Sequence, residues 1–432
     1  MAEPAAGPGL GPDRPRPVAT AGPLPLAGLR VVDLGTWWAG ALTSQILAAL
    51  GADVIKVEST RRIDGARTLM GSLRPARPER WWETSQMYLS VNQNKRGVTL
   101  DLTTGPGREL VVELIRRADV LVENFAPHVM RKVDLQWDTV HAINPRLVMV
   151  RQPAFGLTGP LSEFVGFAQT VEQYSGLCAA TGYTGGPPLN PGGPPDPMGG
   201  ANGAFAAMSA LYQARRTGRG VLVEAPLVES AVIMAADRAM QWSAYGSLPE
   251  RDGNHSPVAA PQGAYPVRGS ERWIAMSVVD DRQWRDFAAA AGVAKWIEDA
   301  DLATTAGRRA QRYRLDDEIA EWSRGLELDE ALDLLVGLGI PAAAAQDPRF
   351  VREHPQIIAT GIVEPVEHPV AGRLELATLP VRLAGVDRWT RTRAPLIGQH
   401  NREVLVDELG VDEAELPGLA EAGVIGTVPA GH

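Results

Sequence analysis

Near the start of the chain two short apolar runs bracket a stretch of helical spacing, and few folds accommodate that arrangement. Leu29-Arg30-Val31-Val32-Asp33-Leu34 has the length and composition of a buried strand. Residues 39–50 carry apolar side chains at helical spacing and stop at Gly51, and Asp53-Val54-Ile55-Lys56-Val57-Glu58 reads as a second strand. Strand, helix and strand in so short a span make a βαβ unit with parallel strands and a right-handed crossover. The pattern recurs: residues 107–117 read as a helix, 119–123 and 146–150 as strands. The predicted fold class is therefore α/β, with a Rossmann-like, doubly wound large domain.

Further along, residues 183–200 are rich in Gly and Pro, which points to a working loop. An Ala-rich helix is predicted over 199–215, a strand over 221–224 and one long helix over 227–245. After Arg251-Asp252-Gly253-Asn254 the texture changes to short strands (263–278) and helices (281–290, 315–325 and 328–337). This predicts a smaller α+β domain at 255–345, set between a large-domain part at 24–254 and a segment at 346–432 that returns to it. That last segment ends with a helix predicted over 401–409. Residues 1–23 are Pro-, Ala- and Gly-rich and lack an apolar h-region, so they read as a disordered tail and not as a signal peptide.

Two domains also suit 432 residues. The net charge of −9 argues against a nucleic-acid partner, whose footprint is a basic excess. One cysteine, Cys178, forms no internal disulfide and fits a reducing, cytoplasmic setting. No apolar run approaches the ~18–20 residues of a membrane span. Of 42 basic residues the only lysines are Lys56, Lys95, Lys132 and Lys295, which makes each of them conspicuous.

A βαβ opening raises dinucleotide binding first. The turn after the first strand is Gly35-Thr36-Trp37-Trp38-Ala39-Gly40, without the G-x-G-x-x-G spacing that wraps a pyrophosphate. Glu58 is the candidate ribose-binding acid of that weaker reading. A crevice is expected in any case at the strand C-termini, near Trp37, Trp38, Glu58 and Asn124.

Six motifs in order carry a more specific resemblance. They are Leu26-Ala27-Gly28-Leu29-Arg30-Val31-Val32-Asp33-Leu34 with Leu50-Gly51-Ala52-Asp53-Val54-Ile55-Lys56-Val57-Glu58, then Asn92-Gln93-Asn94-Lys95-Arg96 leading to Thr99-Leu100-Asp101-Leu102, and Glu123-Asn124-Phe125. Ile143-Asn144-Pro145-Arg146-Leu147, Arg215-Arg216-Thr217-Gly218-Arg219-Gly220 and Ala394-Pro395-Leu396-Ile397-Gly398-Gln399-His400-Asn401 complete the series. From about residue 24 to the C-terminus the chain resembles the class III (formyl-CoA transferase-like) CoA-transferases.

The resemblance implies transfer of CoA between carboxylic acids, with coenzyme A and acyl-CoA as substrates and no tightly bound cofactor or metal. It implies that Asp196, in Pro195-Asp196-Pro197-Met198-Gly199-Gly200, is a nucleophile that forms an aspartyl–acyl mixed anhydride and then an enzyme–CoA thioester. Read locally, Asp196 and Pro197 make a favoured N-cap and N1 pair, and a helix tip favours the carboxylate form. Gly199 and Gly200 are the candidate oxyanion donors. Thr36, Trp37, Trp38, Ala39, Leu100, Leu102, Asn124 and Phe125 match positions around the pantetheine and adenine; Arg61, Arg62 and Lys132 match the phosphate contacts, Ser59 standing where the family has an Arg. Ordinary packing and solvated surface charge are the rival readings of these residues, with Trp37 the better candidate for aromatic core. For Asn94, Lys95 and Arg96 the rival is a helix-end ion pair.

There are departures. Residues 254–263, in place of the family's mobile loop, are not glycine-rich. A racemase branch of the family carries Gly-His-Asp where this chain has Gly166-Phe167-Ala168, and a methyl group takes no proton. Glu172, one turn on, is the nearest ionisable substitute, either a buried or capping residue or a polar partner of Asp196. Epimerisation or intramolecular CoA migration (a racemase or isomerase of the same family), or a catalytically silent CoA-binding relative, are thus the competing functions. The resemblance also implies an interlocked homodimer.

Overall fold

The computed structural model describes residues 23–69 and 79–431; the expected N-terminal tail, save its last residue, lies outside them. Strands β1 (Arg30–Asp33), β2 (Asp53–Glu58), β3 (Lys95–Thr99), β4 (Val120–Glu123), β5 (Val148–Arg151) and β6 (Leu222–Glu224) form one parallel sheet in the order β3-β2-β1-β4-β5-β6. Val31 is in register with Val54 on one side and Val120 on the other, so strand order reverses between β1 and β4.

Helices cover both faces, which is why the strands read as nearly continuous apolar runs. The first helices are α1 (Ala39–Ala49), α2 (Gly65–Thr68), α3 (Gln86–Val91), α4 (Gly105–Arg116), α5 (Pro127–Lys132) and α6 (Trp137–Ile143). They are followed by α7 (Ala168–Tyr174), α8 (Leu177–Ala180), α9 (Pro195–Thr217), α10 (Leu227–Met234) and α11 (Ala236–Tyr245). Successive strand side chains point to opposite faces. Val32, Ile55, Leu121 and Met149 face a core with Val111, Leu114 and Met130, whereas Val31, Val54, Val120 and Val148 face α1 and the Ala204, Ala207 and Leu211 side of α9.

Three elements depart from the sequence reading. Helix α9 starts at Pro195, not 199. The helix expected over 227–245 is interrupted at Ala235: α10 buries Leu227, Ser230 and Ala231, but α11 buries no residue, so the interruption falls where burial ends. The helix expected over 401–409 is wound as a π-helix at Glu403–Glu408. This last segment seals the β3 edge: Gly97 donates to His400 Nδ1 at 2.9 Å, and Thr99 to Asn401 Oδ1 at 2.8 Å.

The chain divides into two compact units. One takes in the sheet, with Asn190–Tyr245 and the chain from Thr360 onward; the other comprises Ala179–Leu189 and Gly246–Ala359. The smaller unit has an antiparallel sheet, β7 (Gln262–Pro266), β8 (Trp273–Ser277) and β9 (Ala342–Ala344). Helices α12 (Asp281–Ala291), α13 (Ala294–Glu298), α14 (Thr305–Ala310), α15 (Arg312–Ser323) and α16 (Leu328–Gly337) accompany it. Its core is aromatic, with Trp284, Phe287 and Trp296 packed together. Residues 179–189 are bound into this unit: Arg251 donates to Gly186 O at 2.7 Å, and Thr184 Oγ1 to Arg251 O at 2.9 Å.

Candidate functional site

The turn after β1 lies where strand order reverses, the usual ligand crevice of an open α/β sheet. Three consecutive amides in it are each taken by a different side chain. Gly35 donates to Asp33 Oδ1 at 2.8 Å, Thr36 to Asn124 Oδ1 at 2.8 Å and Trp37 to Asp64 Oδ1 at 2.7 Å. Asn124 returns a bond from Nδ2 to Thr36 O at 2.9 Å, joining the ends of β1 and β4.

Two buried lysines hold these carboxylates. Lys56 Nζ pairs with Asp64 Oδ2 at 2.8 Å and donates to Gly35 O; Lys95 Nζ pairs with Asp33 Oδ2 at 2.9 Å and donates to Ala41 O at 2.8 Å. Burial pushes the Lys95 ammonium down to about 8 against the pull of Asp33. For Lys56 burial also opposes the charge, but Asp64, Asp33 and Glu58 outweigh it and its pKa rises. Lys95 thus sits in a buried network and not in a helix-end pair. Its neighbour Arg96 bonds Asp53 at 2.6 Å and Glu403 at 2.8 Å, and Asn94 takes the amides of Arg391 and Thr392.

Both tryptophans of the turn are half-buried. Trp37 adopts φ of 60°, meets Phe167 edge-on at 5.0 Å and lies on Gly65, where a Cβ would come within 2.1 Å of the indole. Trp38 reaches the Gly/Pro loop, lying against Gly193.

From Gly193 the chain enters α9. Pro195 and Pro197 have no N–H; the Asp196 amide goes to Gly193 O at 3.1 Å and that of Met198 to Pro194 O at 3.2 Å. Asp196 is the second residue of the helix and caps nothing, so the N-cap and N1 pairing read from sequence is corrected: the run of prolines starts the helix one residue before Asp196. Gly199 and Gly200 are buried a turn inside α9, packed on Leu227 and on Leu42. Their carbonyls accept from Gln152 Nε2 at 2.8 Å and Thr43 Oγ1 at 3.0 Å, so their visible role is close packing of α9 on α1. The start of α1, by contrast, has no side-chain cap, and Ala39 lies beside Gly199.

The Asp196 side chain is half-buried. Burial, and then the charge of Glu172, push its carboxyl up to about 6, so the helix tip does not depress it as the sequence implied. A carboxyl at about 6 is still mostly ionised at pH 7. Glu172 is fully buried on α7; its Oε1 accepts the Gly193 amide at 2.7 Å, and its Oε2 has no hydrogen-bond partner.

The other sequence-selected residues lie around this turn in different states. Leu100 is 1% exposed and belongs to the core; Leu102 and Phe125 pack at its rim. Arg61 is exposed, pairs with Asp101 at 3.4 Å and donates to Ala422 O at 3.2 Å; Arg62 and Lys132 are exposed. Glu58 is no ribose acid: it is buried against Arg67 at 2.8 Å, whose charge overcomes burial and holds it at about 2. Ala168 is buried at the start of α7 and Cys178 is buried too.

Sequence reasoning passed over Asp64 and, though it marked Lys56 and Lys95 as conspicuous, did not assign them this anchoring role. The available signal was the scarcity of lysine in a chain that uses Arg for most of its basic charge. In the smaller unit, His255 Nδ1 lies 3.0 Å from Asp252 and its Nε2 2.6 Å from Asp316, tying down part of the stretch expected as a lid. These groups line a cavity of about 630 Å³ with Tyr183, Trp273 and Tyr313.

Residues 26–401 match the family model described as CoA-transferase family III. The chain belongs to this family. It is a class III CoA-transferase, an enzyme that moves CoA between carboxylic acids. The chain is 32% identical over 408 residues to the succinyl-CoA–D-citramalate CoA-transferase of Chloroflexus aurantiacus, covering 93% of this chain and 98% of that one. It is 32% identical over 417 residues to a formyl-CoA:oxalate CoA-transferase of Streptomyces avermitilis, covering 93% and 99%. A CaiB/BaiF family protein from Brucella suis has a similar solved structure, with a TM-score of 0.81, 30% identity and coverage of 89% of this CoA-transferase and all of that chain (100%). Among the described residues no helix is long and apolar enough to cross a membrane.

Proposed function

We propose that this CoA-transferase exchanges CoA between an acyl-CoA and a free carboxylate through covalent intermediates on Asp196. One observation carries the reading: a half-buried carboxylate stands in the first turn of α9, its amide bonded to Gly193, which lies against Trp38 of the anchored turn, and burial with the charge of Glu172 pushes it up to about 6. A carboxylate of higher pKa is a stronger nucleophile while it stays ionised.

Asp196 attacks the thioester carbonyl, the C–S bond breaks and CoA leaves as thiolate, giving the mixed anhydride. Thiolate then attacks the aspartyl carbonyl and releases the donor acid, leaving an enzyme–CoA thioester. The acceptor carboxylate attacks this thioester to form a new anhydride, and returning thiolate attacks its acyl carbonyl to give the new acyl-CoA and free Asp196. Each step passes an oxyanion that needs preorganised donors. The uncapped first turn of α1 offers them more readily than Gly199 and Gly200, whose amides lie within α9. Thr36, Trp37, Trp38, Ala39, Asn124 and Phe125 are read as the pantetheine side of the CoA site, with Arg61, Arg62 and Lys132 toward the phosphates.

The names of the relatives favour short dicarboxylic and hydroxy-dicarboxylic acids as substrates. The smaller unit is read as the small domain and the assembly as a homodimer. In the test, Asp196→Asn is expected to abolish CoA exchange between succinyl-CoA or formyl-CoA and a panel of citramalate, malate and oxalate. Wild-type enzyme with acyl-CoA and hydroxylamine yields a hydroxamate at Asp196. Full exchange by the Asn variant overturns the reading.

A further inference from the structure

Asp196 and Glu172 stand on different helices, and a single glycine joins them. Glu172 Oε1 accepts the Gly193 amide at 2.7 Å, and the Gly193 carbonyl accepts the Asp196 amide at 3.1 Å. Gly193 has φ of 115° and lies against Trp38, so this link is also the one that touches the β1–α1 turn. Glu172 is 0% exposed, and its Oε2 is buried without a partner. Holding Gly193 requires one neutral acceptor, which a glutamine supplies; a bare carboxylate oxygen in an enclosed site is costly and contributes nothing to that bond.

Other charges around α9 are committed elsewhere or exposed. Helix α1 has no charged residue; Arg151 on β5 is paired with Glu123, and Glu224 on β6 accepts the Leu157 amide at 2.6 Å. Glu229 on α10 is exposed, and the basic residues of α9 itself, Arg215 and Arg216, are at its far end.

We propose that Glu172 is a positioning residue whose charge, delivered across the Gly193 link, drives Asp196 out of its free carboxylate form and into the covalent adducts. The inference rests on Asp196 being the nucleophile. When an Asp196 oxygen bonds to the acyl carbon, the C–S electron pair leaves with CoA as thiolate, and no proton moves. Asp196 passes from anion to neutral anhydride, and later to neutral thioester. Repulsion from Glu172 therefore acts on the resting enzyme and is relieved in both adducts, which raises the resting state and favours acylation.

Glu172→Gln tests this, because it keeps the acceptor for Gly193 and removes the charge. In the wild type the acid limb of kcat/KM for CoA exchange is expected near 6. In the variant it moves toward the ordinary aspartate range, by about one unit, and the hydroxylamine-trapped adduct at pH 7.5 falls about tenfold. The KM for acyl-CoA stays close to wild type, and the melting temperature at pH 7.5 does not fall, because the variant relieves the same repulsion in the resting fold. An acid limb and an adduct yield that do not move overturn the proposal and leave Glu172 a packing residue. A wild-type limb near 3.8 overturns it without any variant. Activity retained by Asp196→Asn is a separate outcome that defeats the nucleophile itself, and the proposal with it.

Discussion

A carboxyl lifted from 3.8 to about 6 by its surroundings sets a cost on the folded state. The raised pKa means that the fold prefers Asp196 protonated: this contribution is fully present below pH 3.8 and is lost as pH rises through about 6. At pH 7.5 the ionised side chain then costs on the order of 2–3 kcal/mol. Asp196→Asn, whatever its activity, is expected to melt above the wild type at pH 7.5, with the difference vanishing by about pH 4; calorimetry at the two pH values checks the sign. The family resemblance singled out Asp196, whose local context alone suggested a helix cap, and Glu172 was offered either as a buried or capping residue or as a polar partner of Asp196. The motifs do not encode how these side chains are bonded. Asp64 meets Lys56 across eight residues, but Lys95 meets Asp33 across sixty-two, and only the parallel order of β1, β2 and β3 brings such partners together.

Between elements, contact distance decides what the helices tolerate. A Cβ on Gly203 would stand 2.5 Å from Thr43 Oγ1 and 2.6 Å from Gln152 Nε2, the pair that also holds the carbonyls of Gly200 and Gly199. Gly203→Ala is therefore expected to cost about 1–3 kcal/mol and to disturb the start of α9, so that urea unfolding and CoA exchange fall together. Gly65→Ala displaces the Trp37 indole, and an altered tryptophan emission with a raised KM for acyl-CoA is the expected outcome. Apolar period made strands such as β2 legible to the residue. Helix starts were less so: the prolines at 194 and 195 read as loop and Pro197 as the first helical residue, yet Pro also fits at 195, where the helix starts and a missing N–H is not needed. The break at Ala235 carries no Gly or Pro, and nothing in the local sequence announces it.

For the whole molecule, the α/β class follows from repeated βαβ units. Oligomeric state is encoded less directly, in what the fold leaves uncovered. Helix α11 buries no residue and exposes Met240 at 70%, Trp242 at 59% and Tyr245 at 79%. Such side chains on one helix suit a face covered by a second copy. Light scattering at micromolar concentration is expected to give twice the 46.2 kDa chain mass, and Trp242→Asp to lower it. A monomeric wild type removes the dimer from the proposal.

The chain leaves the larger unit just after the helix that carries Glu172, spends residues 179–189 in the smaller one, and returns at Asn190, six residues before Asp196. The two carboxylates are thus moored on opposite shores of one excursion. The detour is the covalent tether between them, so a substitution that loosens residues 179–189 is expected to shift the acid limb proposed for Asp196, which a pH profile of CoA exchange checks.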